Sequence, residues 1–261
     1  MLVGQDKLNQ FLNNVSIDTM PRSSILSGPK GCGKHTFCSL LKEKLNIPLV
    51  DITDKLDFEF IIELYTKTTP SIYLVDVTNI LKKEQNKLLK FLEESLKNSF
   101  IIILCESLNQ LLDTIINRCE VIRFQPYTIE QLRQFDSDID ETILHLCNTP
   151  GDIITYKSLS LEPYIVLAQK MIEKMNIAAI SNAISISDKI AFKDESDRLN
   201  LTLFKKVLLN TASAALINQK INNSFFDAIR NYLTEASQPK VNQKYLFENL
   251  ITNLWLISHG H

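Results

Sequence analysis

Glycine is scarce in this chain. There are six in 261 residues, and three of them, Gly28, Gly31 and Gly33, fall within six consecutive positions. Charge of one sign is also lacking: the formal net charge is −2, so no chain-wide basic footprint argues for direct nucleic-acid binding. No apolar run approaches the length of a membrane span, and Met1-Leu2-Val3-Gly4-Gln5-Asp6 lacks the basic-then-apolar plan of a signal peptide. A cytoplasmic protein with no membrane association is expected. The five cysteines, Cys32, Cys38, Cys105, Cys119 and Cys147, form no C-x-x-C pair and are odd in number. They read as reduced, mostly buried thiols, and no zinc site is expected.

The clustered glycines carry the main signal. Ser24-Ile25-Leu26-Ser27 is a short apolar strand that runs into Gly28-Pro29-Lys30-Gly31-Cys32-Gly33-Lys34-His35-Thr36, followed by a helical pattern over 37–45. This matches G-x-x-x-x-G-K-[S/T] except at the last position, where His35 replaces the hydroxyl residue. Backbone N–H groups in such a loop, backed by a helix N-terminus, hold phosphate oxygens, and the lysine neutralises charge on the β- and γ-phosphates. The missing hydroxyl is the one that binds magnesium. Thr36 is one helical residue further on, a turn of about 100°, and is expected to point elsewhere. His35 has no partner His or Cys spaced to make it a metal ligand.

A second strand, Ser71-Ile72-Tyr73-Leu74-Val75, ends in Asp76, where a phosphate-loop ATPase places its metal-holding carboxylate. The alternative is that Asp76 merely caps the next turn. Further apolar runs at 49–52, 100–104 and 121–124, with helical stretches between, predict a parallel sheet covered on both faces. The phosphate loop then sits at the carboxyl ends of the strands. After Phe124 no strand is convincing. Thr128-Ile129-Glu130-Gln131 carries a helix-start signature, and helical patterns cover about 128–135, 139–147, 151–160, 162–175, 177–187, 197–218, 223–235 and 242–258. The expected architecture is an α/β phosphate-loop domain over 1–125, a small helical unit over 126–160 and an all-α unit over 161–261. His145, on an otherwise apolar helix face, is expected to be a core histidine. His259 and His261 lie at a terminus expected to fray.

Several segments resemble one family in the same order and at similar spacing. Glu84-Gln85-Asn86-Lys87-Leu88-Leu89-Lys90-Phe91-Leu92-Glu93-Glu94 is similar to A-Q-N-A-L-L-K-T-L-E-E, the helix after the acidic strand in AAA+ sliding-clamp-loader subunits. Asn117-Arg118-Cys119 resembles their S-R-C motif, with Asn117 for serine, and Val3-Gly4-Gln5 their h-G-Q near the adenine. With the phosphate loop these span residues 3–119; the tail after about 160 resembles the family only in being helical and of suitable length. The chain looks most like the DNA polymerase III delta-prime type, akin to a small subunit of replication factor C.

That resemblance implies an AAA+ domain, a helical lid at 126–160 and a helical collar at 161–261. It implies a non-catalytic, stator-like subunit of a hetero-oligomeric ring that acts with other loader subunits, the sliding clamp and, through the assembly, primed DNA. Arg118 would be its catalytic contribution, a finger lent in trans to a neighbour's ATP. The implied nucleotide contacts are Gly28, Gly31, Cys32, Gly33, Lys34, His35, Thr36 and Asp76, for weakly held ATP or ADP with magnesium possible, and no dedicated metal ligand set is expected.

Several departures from the pattern fall on hydrolysis. Val77 stands where the family has a water-positioning glutamate, and Ile154 where an arginine follows the lid's Gly-Asp. The four-cysteine zinc module of many delta-prime subunits is absent from the sequence. Glu106 and Ser107 lie at the family's polar sensor position, Glu93-Glu94 reads as a solvated helix end, and Lys82, Lys83, Lys87 and Lys90 form a basic set that is either solvated or a phosphate contact. The competing readings are an ATP-hydrolysing motor subunit of a divergent or viral loader, and a phosphate-loop enzyme of small-molecule phosphoryl transfer.

Overall fold

The computed structural model describes residues 1–54, 69–93, 99–159, 161–174, 195–238 and 241–259. The helix expected over 177–187, the helical stretch expected before Ile72, Glu94 and His261 lie outside them. The chain forms two compact units: Met1–Asp140 with Cys147–Thr155, and Glu141–Leu146 with Tyr156–His261.

Among its described residues the first unit is built on five strands, β1 (Ser23–Ser27), β2 (Leu49–Asp51), β3 (Ser71–Asp76), β4 (Ser99–Cys105) and β5 (Glu120–Arg123). They run in the order β2-β3-β4-β1-β5, and every pairing is parallel. Alternation along the strands explains why the runs are apolar throughout. Leu26, Ile72, Leu74, Phe100, Ile102 and Leu104 face one core with Phe37, Leu41 and Leu8. Ile25, Tyr73, Val75, Ile101, Ile103 and Cys105 face the other with Leu88, Leu111 and Ile115. A sheet buried on both faces needs no polar alternation, and the expected α/β fold is what forms.

The helix Lys34–Leu45 packs on the first of these cores through Phe37, Cys38, Leu41 and Leu45, spaced to share one face. It stops at Asn46, whose φ of 51° is left-handed, and Pro48 follows, which cannot continue a helix. β1 lies between β4 and β5, so its carboxyl end opens where the strand order reverses. The register sets Ser27 level with Cys105, and Asp76 level with Leu104. The loops after β1, β3 and β4 therefore share one edge.

The second unit is helical among its described residues: Glu141–Leu146, the end of Pro150–Lys157, Glu162–Lys174, Glu195–Ile217, Asn223–Glu235 and Gln243–Ser258. Asn222 and Asn242 cap the last two by accepting from the N–H groups of Phe225 (2.9 Å) and Tyr245 (3.2 Å). Phe247 forms the aromatic centre, with ring centroids 5.7 Å from Phe204 and 5.9 Å from Tyr232. His145 is not in the core. Its side chain is half-exposed and lies 3.7 Å from Glu141 one turn earlier, because the helix turns its neighbours Leu144 and Leu146 inward instead.

Candidate functional site

The glycine-rich loop leaves β1 and enters the helix Lys34–Leu45. Gly31 (φ +79°) and Gly33 (φ +101°) take backbone conformations that a side chain would strain. Gly33 is the N-cap and offers no side-chain cap, so the first-turn N–H groups of that helix remain available. Lys34 is buried, and its ammonium donates to the carbonyls of Gly28 and Pro29, the latter at 3.1 Å. The Gly28 N–H donates to Cys105 O at 3.2 Å, which ties the loop to the end of β4.

Three contacts hold the loop from outside. The Tyr127 hydroxyl donates to Cys32 O at 2.8 Å. Thr149 Oγ1 donates to Lys30 O at 3.2 Å, and the Gly151 N–H to Gly31 O at 3.0 Å. Gly31 and Gly151 meet backbone to backbone, since a Cβ on Gly151 would lie 2.6 Å from Gly31 Cα. Beside the loop, buried Gln5 uses its amide twice on the backbone of Gln125, donating to the carbonyl at 2.9 Å and accepting from the N–H at 2.8 Å. This clamps the N-terminal segment to the exit of β5. The sequence pointed to Gln5 only as part of a motif, and gave no sign of Tyr127 or Thr149.

Asp76 ends β3 with one carboxylate oxygen capping the next turn. Its Oδ1 accepts from the Thr78 N–H (2.9 Å) and hydroxyl (2.5 Å). The other oxygen, Oδ2, lies 3.9 Å from His35 Nε2. The capping alternative is thus present, together with a contact to the residue that replaces the metal-binding hydroxyl. Thr36 is solvent-exposed, and Val77 is 1% exposed within the core. After β4, Gln110 Oε1 accepts from the N–H groups of Glu106 (2.8 Å) and Ser107 (3.3 Å), while the Ser107 hydroxyl caps the next turn by accepting from the Asn109 N–H at 3.4 Å; both residues are exposed. Burial pushes the Cys32 and Cys105 thiols up, so both are protonated and suited to packing rather than to nucleophilic work. The five cysteines are free thiols, and Cys119 packs partly buried against the core.

The donor set of the loop suits a polyphosphate: N–H groups, glycines that let a ligand approach the backbone, and one buried ammonium. It suits magnesium poorly. That ion takes near-octahedral oxygen ligands, whereas the first position after the lysine holds an imidazole and the carboxylate is half committed to a cap.

Arg118 follows the short helix Asp113–Ile116. Its guanidinium donates to Thr114 O at 2.8 Å and to Glu93 Oε1 at 2.9 Å, with both side chains partly exposed. Glu93 is thus an anchor for Arg118 rather than only a solvated helix end. Fully buried Gln85 braces the same region. It donates to Gln110 O at 2.8 Å and accepts from the Leu112 N–H at 3.2 Å, which joins the start of the helix Asn86–Glu93 to the segment leading to Arg118. Lys82 and Lys83 sit in the turn before that helix, Lys87 and Lys90 on it, all exposed. The basic set is a surface feature in part outside the helix.

Comparison with known proteins fits this geometry. The family described as DNA polymerase III, delta subunit, matches residues 42–128. The chain is 51% identical over 41 residues to DNA polymerase III subunit delta' of Bacillus subtilis (strain 168), which is 16% of this chain and 12% of that protein. Over these segments the chain is similar to delta-type subunits of DNA polymerase III. It is also 22% identical, over 95% of its length, to 45% of DNA polymerase III subunit gamma/tau of Mycoplasma genitalium. The chain therefore spans less than half of either curated relative. Among solved structures, a DNA polymerase III gamma subunit-related protein of Thermotoga maritima superposes with a TM-score of 0.53 at 16% identity, covering 95% of this chain and 99% of that one. A RuvB variant of Thermotoga maritima does so with a TM-score of 0.50 at 14% identity, covering 99% and 88%. These likenesses show the fold: a phosphate-loop α/β domain followed by a helical C-terminal region. Among the described residues, no helix is long and apolar enough to cross a membrane.

Proposed function

We propose that this protein is a non-catalytic, stator-like subunit of a DNA sliding-clamp loader, and that it lends Arg118 in trans to the ATP of a neighbouring subunit. The observation that carries this reading is the setting of Arg118. The residue stands at the surface, its guanidinium fixed by Glu93 and by Thr114 O, and the segment bearing it is braced through buried Gln85. A rigidly presented, solvent-reachable guanidinium is what stabilisation of transition-state charge on a partner's γ-phosphate requires. The loss of own-site hydrolysis is supported by Val77, which is apolar and buried where a carboxylate would orient water.

On this reading the phosphate loop, Gly28 to Thr36 with Asp76, holds ATP or ADP weakly. Residues 126–160 act as the lid, and 161–261 as the collar that joins other loader subunits in a ring. The sliding clamp and primed DNA are partners of that assembly, in the cytoplasm. The test is reconstitution with the other loader subunits followed by ATPase measurement. Arg118→Ala removes a group worth about 10³ or more at one site, so total turnover falls in part, while the complex still forms. Unchanged turnover in the Arg118→Ala assembly contradicts the trans role.

A further inference from the structure

We propose that the phosphate loop of this chain binds nucleotide without magnesium, with the His35 imidazole standing in the metal's place against Asp76. The proposal deepens the reading above and rests on it for the loop being a nucleotide site.

The argument begins with how the Asp76 carboxylate is held. The Asp76 backbone N–H donates to Thr53 Oγ1 at 3.0 Å, and the Thr53 N–H and hydroxyl donate to Asp51 Oδ1 at 2.9 and 2.6 Å. The end of β3 is thereby fixed to the end of β2. Thr78 then takes Oδ1 with two further hydrogen bonds. Only Oδ2 is left to face the loop, and what it faces is His35 Nε2 at 3.9 Å.

A magnesium ion in a phosphate loop relies on the hydroxyl after the lysine and on this carboxylate, reached directly or through water. Here the hydroxyl is replaced by an imidazole, a nitrogen donor that suits zinc, copper or nickel rather than magnesium. The ion dehydrates reluctantly and demands short oxygen contacts in octahedral array, and it is the imidazole that lies nearest the free oxygen of the carboxylate that would hold it. Exposed Thr36 supplies no substitute at that position.

The phosphate-binding parts are untouched by this exchange. Lys34 remains buried within the loop, and Gly31 and Gly33 keep the conformations that expose N–H groups. The ligand class is therefore a nucleoside di- or triphosphate free of metal, its charge met by Lys34, the helix N-terminus and hydrogen bonding from the imidazole. A subunit that holds nucleotide but never hydrolyses it has no need of a metal to stabilise the leaving group.

The test titrates a fluorescent ADP analogue into the full chain, once with excess magnesium and once with excess EDTA, for wild type, Lys34→Ala and His35→Ser. Wild-type affinity is expected to differ by less than about threefold between the two conditions. Lys34→Ala is expected to weaken binding about tenfold or more in both. His35→Ser, which restores the hydroxyl, is expected to bind about tenfold more tightly with magnesium than with EDTA, a change of about 1.4 kcal/mol. A wild type that loses about tenfold or more of its affinity in EDTA overturns the proposal, and so does a His35→Ser variant as indifferent to magnesium as wild type. Absence of binding at millimolar nucleotide in both conditions also overturns it, yet leaves the trans role of Arg118 standing, because that role is read from turnover in the assembled complex.

Discussion

Replacing Gly151 by alanine probes the contact that locks the phosphate loop, and the sign of the effect is diagnostic. Gly151 is the second residue of the helix Pro150–Lys157 and has no positive φ. In an open helix, Gly→Ala stabilises by up to about 1 kcal/mol. Here the new Cβ would lie 2.6 Å from Gly31 Cα and 3.3 Å from Gly31 O. Both are backbone atoms that cannot swing aside, and such overpacking costs about 1–3 kcal/mol. Separating the strands of backbone also strains the Gly151 N–H to Gly31 O hydrogen bond at 3.0 Å, worth about 0.5–1.5 kcal/mol. The net expectation is a loss of about 0.5–3.5 kcal/mol. With a urea m-value of about 2 kcal/mol/M, the midpoint falls by about 0.3–1.7 M. Urea unfolding followed by far-UV circular dichroism reads this directly. A Gly151→Ala variant that is more stable than wild type refutes the close approach of the two glycines.

Other outcomes follow from the same structure. Gln85→Leu leaves Gln110 O and the Leu112 N–H without their buried partner, which costs about 1–3 kcal/mol for each; urea unfolding that matches wild type would contradict the brace. Burial lifts the Cys38 thiol from 9.0 to about 12. Because the folded pKa is raised, its stabilisation is complete below pH 9 and is lost as pH rises toward 12, with a slope of up to about 1.4 kcal/mol per pH unit. Cys38→Ala should flatten the alkaline loss of stability by about one proton, and an unchanged slope counts against burial as its cause. The isolated chain should show no meaningful ATP turnover, given Val77 and His35, and a steady-state rate of about 1 s⁻¹ or faster would restore the motor reading.

The sheet was readable from the sequence because burial on both faces leaves an unbroken signal. Ile72–Val75 and Phe100–Leu104 have no polar interruption, and β3 and β4 extend those runs by only a residue or two. Helices also fell near their expected bounds where a cap marks the start, as at Thr128, whose side chain accepts from the Gln131 N–H. What stayed hidden is contact between segments distant in sequence. Gly31 and Gly151 are both small, yet nothing in either neighbourhood says that they touch. Arg118 read as a motif residue, whereas its anchor Glu93 looked like any exposed helix-end carboxylate. His145 was misjudged because its neighbours Ile143, Leu144, Leu146 and Cys147 are apolar, and the rotation of a six-residue helix, which decides which of them turn inward, is poorly constrained by so short a pattern. The meeting of His35 with Asp76 needs the strand order β3-β4-β1, which no local pattern encodes.

The central claim is that Arg118 acts on a neighbour's nucleotide while this chain's own site stays silent. Clamp loading onto primed DNA by the reconstituted complex tests it most directly, measured alongside DNA-stimulated ATP hydrolysis for wild type and Arg118→Ala. Hydrolysis should fall in part, since one site among several depends on this residue, and loading should fall further, with assembly unchanged. An Arg118→Ala complex that loads clamps as fast as wild type would contradict the account.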